Sequence, residues 1–168
     1  MTYHYTMCGL DYVHLINGYS AHETEYGEGV SIERADELDR IIAYLVLTSH
    51  ARLRGQEVRF LRSLLHKSQA EIAAQLGVKR LTVARWEGSP NTPIPGPADR
   101  TLRIITVRDI FGRKAVEVVL DLLAEITDVR TQPLYMRYRQ RDDDNEPALF
   151  PDAANKEPDG WKPQQIAA

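Results

Sequence analysis

A chain of 168 residues with a net charge of −3 is long enough for one compact domain or two small ones. Its best apolar run, 41–47, falls far short of the roughly 18 residues that span a bilayer, so no membrane segment is expected. No basic start leads into an apolar block, and the one cysteine, Cys8, can form neither an internal disulfide nor a cysteine-rich zinc site, so a cytoplasmic protein without cofactor is expected.

The first stretch, 1–32, reads as β or irregular. It is rich in aromatic and β-branched residues and is interrupted by Asn17-Gly18, a hairpin-turn dipeptide. Such a unit is too small to be stable alone. From 33 to 49 the pattern turns helical, with Leu38, Ile41, Ile42, Leu45 and Val46 on one stripe and Ser31 as the expected N-cap. Residues 1–50 thus form a small β-hairpin unit plus a connecting helix. A second helix is expected over 55–66, carrying Val58, Leu61, Leu64 and Leu65, and two short ones over 69–76 and 79–87. The segment 88–100 has four prolines and must be a loop. Helical periodicity resumes over 98–110. It returns over 113–126, where Val116, Val119, Leu120, Leu123 and Ile126 make an apolar stripe that suits either the neighbouring domain or a second copy of the chain. From 132 to 168 the chain is polar, proline-dotted and aperiodic, and a disordered tail is expected. The fold class is therefore mainly α with a small N-terminal β unit. Its parts are 1–50, 51–112, 113–131 and 132–168.

Charge divides along the same lines. Residues 1–50 carry −6, residues 51–114 carry +8 and residues 115–168 carry −5. A basic middle between acidic ends points to a polyanionic partner, with a solvated helical surface as the plain alternative.

Within that basic middle, "SQAEIAAQLGVKRLTVARWEG" (68–88) is the informative stretch. Ile72, Ala73 and Leu76 form a helical stripe. Gly77 suits the left-handed residue that ends a helix. Val83 and Trp86, three apart, form the inward face of the next helix. Small Ala73 facing Val83 lets the two helices cross steeply, as in a helix-turn-helix whose second helix enters the major groove. Lys79, Arg80, Thr82 and Arg85 lie off the Val83–Trp86 stripe. An ordinary helical hairpin has no need of that glycine or of cations crowded on one outward face.

The stretch "FLRSLLHKSQAEIAAQLGVKRLTVARWEG" resembles the Xre family of lambda-repressor-like helix-turn-helix domains. The resembling residues are Arg62, Ser68-Gln69, Glu71 with Ala74, Gly77-Val78 and Trp86-Glu87. The resemblance covers about 55–110, where it implies a five-helix DNA-binding domain. It implies that Arg62 and Glu87 pair to brace the first helix against the end of the recognition helix, and that Gln69 contacts DNA. One position departs: Lys79 stands where the family has Ser or Thr, losing an N-cap worth about 1 kcal/mol and placing a cation at the positive helix end.

Groove chemistry assigns the remaining roles. Arg80 and Arg85 suit bidentate contacts to guanine O6 and N7, and Thr82 suits a base edge or a thymine methyl. Lys79, Lys67 and Arg59 suit phosphate contacts, which position without specifying. Each cation can also be read as solvated surface charge. Operators of this family are read by dimers, so double-stranded DNA and a second copy of the chain are the expected partners.

The segment "EYGEGVSIERADELDRII" is similar to antitoxins that place a small zinc-binding unit before an Xre-type domain. Glu25 and Gly27 stand near the thiol positions, so the resemblance implies a metal-free version and a toxin protein as a partner. Cys8, His14 and His22 match no common zinc spacing, and no metal site is expected. No phosphate-binding loop or nucleophile constellation supports an enzyme. Three readings compete: a transcriptional regulator, most simply a repressor; an antitoxin that represses its own operon; and a helix-turn-helix interaction module without DNA binding.

Overall fold

The computed structural model describes residues 2–25, 27–127, 132–139 and 160–164. In chain order these form β1 (Tyr3–His4), β2 (Val13–Leu15), β3 (Tyr19–Thr24), β4 (Gly27–Ile32), α1 (Ala35–Thr48), α2 (Gly55–Leu64), α3 (Gln69–Leu76), α4 (Arg80–Glu87), α5 (Gly96–Phe111), α6 (Arg113–Leu122), a 3-10 turn (Leu123–Glu125), β5 (Leu134–Arg139) and β6 (Gly160–Pro163). The mainly helical class with a small β unit holds. Between residues 55 and 111 there are four helices, α2 to α5, with α1 and α6 packed against this group. No described helix is long and apolar enough to cross a membrane.

The β unit differs from its expected form. Asn17-Gly18 does not turn a hairpin. The hairpin is β3–β4, with Tyr19 opposite Ile32 and Thr24 opposite Gly27, so its turn lies eight residues later. Glu25 and Gly27, the positions compared with zinc ligands, sit at that turn. Asn17-Gly18 instead makes the corner between two sheets. Gly18 takes φ 73°, and a Cβ there would lie 2.6 Å from Tyr138 Cβ and 2.7 Å from the Trp161 ring, so both conformation and space require glycine. The Asn17 side chain donates to Tyr138 O (2.8 Å) and accepts from Tyr138 N (2.7 Å), standing in for a strand partner.

The expectation of disorder over 132–168 is overturned at two segments. Leu134–Arg139 and Gly160–Pro163 complete a four-stranded sheet of order β1-β2-β5-β6, in which β2 and β5 run parallel and the other neighbours antiparallel. Trp161 is buried, and its Nε1 donates to Glu33 O at 2.6 Å. The composition of the tail hid this because two short strands need few apolar residues when one face is solvated. Positions 140–159 and 165–168 lie outside the described residues.

Ser31 is not the N-cap of α1, because β4 extends through it and pairs it with Ser20. The helix begins at Ala35, preceded by Arg34 in a left-handed conformation (φ 44°), and Arg34 Nε meets Glu37 Oε2 at 3.0 Å. α1 buries Leu38, Ile41, Ile42, Ala43, Val46 and Leu47, whereas Leu45 is half-buried. α6 packs on α5 through Ala115 and Val119, followed by Leu123, while Leu120 of the expected stripe is exposed. One continuous apolar core runs from Val13, Leu15 and Met136 of the sheet through α1 to Val58, Leu61, Ile72, Val83 and Leu102.

At its centre lies a polar cluster with no expectation behind it. Asp99 and Arg103, one helical turn apart on α5, are fully buried and paired at 3.3 Å. Arg103 Nη1 donates to the carbonyls of Val46, Leu47 and Ser49, and Nη2 to that of Ala51. These include carbonyls that the end of α1 leaves without helical partners. Asp99 Oδ1 also accepts from Leu53 N at 2.9 Å.

Candidate nucleic-acid interface

Local chemistry builds the α3–α4 pair. Ser68 caps α3 by accepting from Glu71 N (3.2 Å), and Glu71 returns by accepting from Ser68 N (2.7 Å), a reciprocal box that satisfies two helix-end donors. Hydrogen bonds from Ser68 are the main cause of a Glu71 pKa below its ordinary value. Gly77 ends α3 at φ 67°, and Val78 N bonds back to Ala73 O at 2.9 Å, which closes the turn in two residues. Ile72, Ala73 and Val83 are buried where the helices meet, and Trp86 is half-buried against them. Gly55, at the start of α2, lets that helix abut the end of α4. A Cβ there would fall 1.9 Å from Trp86 O and 2.6 Å from Ser89 O.

A chain of polar contacts locks this unit. Arg62 on α2 donates Nε to Glu87 Oε1 (2.6 Å) and Nη2 to Glu87 Oε2 (3.0 Å), a two-pronged pair across α2 and α4. Burial alone would raise the Glu87 carboxyl, but the hydrogen bonds from Arg62 and Gln69 outweigh it and hold the pKa below 4.5. Gln69 Nε2 donates to Glu87 Oε2 (2.9 Å), and Gln69 Oε1 accepts from Arg80 Nη1 (3.3 Å). The order Arg62–Glu87–Gln69–Arg80 thus leads from a half-buried brace to an exposed guanidinium.

A carboxylate with a depressed pKa adds stability above its unfolded value and loses it as pH falls through its folded one. We expect Glu87→Gln to cost about 2 kcal/mol at pH 7 by loss of a charge-assisted pair. The gap from wild type should close as the pH falls below 4.5. Urea titrations at pH 7 and in acid measure it; an equal gap at both would sink the assignment. Glu57 and Asp39, raised by burial, favour the folded state in acid but are common to both proteins and cancel.

The expected DNA-facing residues separate into groups. Lys79, Arg80 and Arg85 are exposed together on α4 and its start. Arg59 is exposed on α2 and contributes to the potential at Glu87. Thr82 is half-buried. Lys67 is not available as a bare cation: its Nζ is held by Asp109 Oδ2 (2.8 Å) and Gln75 Oε1 (3.1 Å), and that hydrogen bond lowers the Asp109 pKa. As expected from its identity, Lys79 gives α4 no side-chain cap. Sequence reasoning missed Leu81, which is 63% exposed on the first turn of α4. Its signal was phase, since it lies two residues from Val83 and so off the buried stripe.

Among the described residues no group of three or more His, Cys, Asp or Glu could hold a metal ion. Cys8 is half-buried, and burial pushes its thiol up to about 11, which leaves it protonated and unreactive at neutral pH. Comparison with protein-family models, curated proteins and solved structures gives no match to the chain.

Proposed function

We propose that the chain is a sequence-specific DNA-binding regulator, a repressor of the lambda-repressor-like type, that inserts α4 into the major groove. The carrying observation is the division of α4. Val83 anchors it in the core, the Arg62–Glu87 pair fixes its far end, and Lys79, Arg80, Leu81 and Arg85 face outward together. Arg80 and Arg85 supply the donor forks that match guanine. Leu81 supplies an apolar contact of the kind that thymine methyl groups accept. Gln69 holds Arg80 and meets the backbone beside it. Lys79 stands at the uncapped end of α4, where a phosphate offsets both its charge and the missing cap.

The test is selection of bound duplexes from a genomic pool, followed by titration of the selected site over a salt series. We expect log–log salt dependence of about −0.9 for each phosphate neutralised. Arg85→Ala should weaken the selected site by about 1–3 kcal/mol and relax preference at one base pair. Unchanged affinity and preference in that variant would remove Arg85 from the reading set. No measurable affinity for any duplex would leave the interaction-module reading in its place.

A further inference from the structure

The segment "YMRYRQR" (135–141) becomes, over its described part, a strand with two faces. Met136 points into the core and is fully buried. Tyr135 and Arg137 therefore lie on the opposite, outer face of the β1-β2-β5-β6 sheet, by the strand alternation. Register brings His4, His14 and Tyr135 side by side on three successive strands. Their rings form a column. His4 and His14 have centroids 4.9 Å apart at 20°, and His14 and Tyr135 are 5.2 Å apart at 24°. Nearly parallel rings at these separations are offset stacks.

The column ends at an open edge. β1 is the outermost strand of the sheet, so among the described residues no further strand covers His4 on that side. The His4 ring is fixed by its Nε2, which donates to Asp11 O at 2.9 Å. On the other side of the column the sheet face becomes cationic. Arg137 stands opposite Lys162, and Arg137 Nε is oriented by Gln164 Oε1 at 2.5 Å.

We propose that this outer sheet face binds single-stranded nucleic acid, with a base stacked on the His4 end of the column and the backbone drawn to Arg137 and Lys162. Stacking platforms beside a cationic track are the means by which proteins hold unpaired strands, because every base presents a π-face and every linkage a charge. His14 is held below its ordinary pKa by burial and by His4, so the middle of the column is a neutral ring at neutral pH and stacks without self-repulsion. The site is on a different element from α4 and does not depend on the duplex reading above.

The experiment is fluorescence anisotropy of the full chain with labelled single-stranded oligothymidylate, with poly-glutamate as competitor. The expected result is saturable binding that weakens about ten-fold in His4→Ala, the range set by loss of one base-stacking contact. It weakens by less in Tyr135→Ala, which removes only the ring that supports His14 from the far side, and is retained in Tyr135→Phe. Poly-glutamate should fail to displace the oligonucleotide at equal charge concentration. His4→Ala alters an exposed side chain on a two-residue edge strand, so it reads the site even if Tyr135→Ala unfolds the sheet. Absence of binding, equal loss in Tyr135→Phe and Tyr135→Ala, or unchanged binding in His4→Ala would each overturn the proposal. Displacement by poly-glutamate would overturn it in favour of an acidic polypeptide as the occupant.

Discussion

Replacing Arg103 by alanine should cost about 3–5 kcal/mol, the range seen when one member of a buried ion pair is removed. The residue is 1% exposed. Burial pushes its guanidinium pKa down against the pull of Asp99, and the acceptors around it offset the cost of burying the charge. Removing it strands Asp99, whose Oδ2 already lacks a hydrogen-bond partner, and releases four carbonyls around the end of α1. Equilibrium urea unfolding followed by circular dichroism measures the loss. A second substitution separates the two causes. Asp99→Asn in the Arg103→Ala background removes the stranded charge while keeping an acceptor for Leu53 N, and should recover part of the stability. If the two changes instead add independently, the residues do not act as a unit.

Trp161→Ala should be nearly as severe, at about 3–5 kcal/mol for a large buried ring. The indole is 2% exposed, lies 5.5 Å from the Tyr138 ring and fills the space above Gly18. Trp161→Phe should lose less, because it retains most of the ring and forfeits chiefly the bond to Glu33 O, worth about 1 kcal/mol. Thermal unfolding of both variants provides the comparison. A wild-type melting temperature in Trp161→Ala would mean that β6 does not contribute to the fold.

These two residues also mark where sequence reading stopped. The α3–α4 unit was legible because its instructions are local: a helix-ending glycine and stripes at helical spacing lie within 68–88, whereas the reciprocal Ser68–Glu71 cap was not read. The Arg62–Glu87 contact was reached only through a resemblance, since nothing in a separation of 25 residues announces it. Asp99 and Arg103 were invisible because an acid and a base one turn apart are usually a solvated pair; only the packing of α1 and α5 puts them inside. Asn17-Gly18 gave a true signal for a turn and a false one for its partners. The dipeptide sets backbone angles, whereas which strands flank it depends on Tyr138 and Trp161. Lys67 was read as a free cation because Asp109 lies 42 residues away. The tail does alternate over β5, where Leu134, Met136 and Tyr138 face inward, but so short a run, interleaved with arginines and followed by a polar stretch, did not stand out as a strand.

The parallel contact between β2 and β5 also sets an order of events. Asn17 reaches Tyr138 across 121 residues, while α2, α3 and α4 are joined by contacts close in sequence. Closing so long a loop delays the pairing relative to local helix formation. During synthesis the first strands leave the ribosome before their partners exist, and domains fold as units from the N-terminal side onward. The helical middle therefore has everything it needs while β1 and β2 still wait, their apolar faces open, for the final stretch around Trp161. Emergence of β5 and β6, rather than of β1 and β2, completes the sheet.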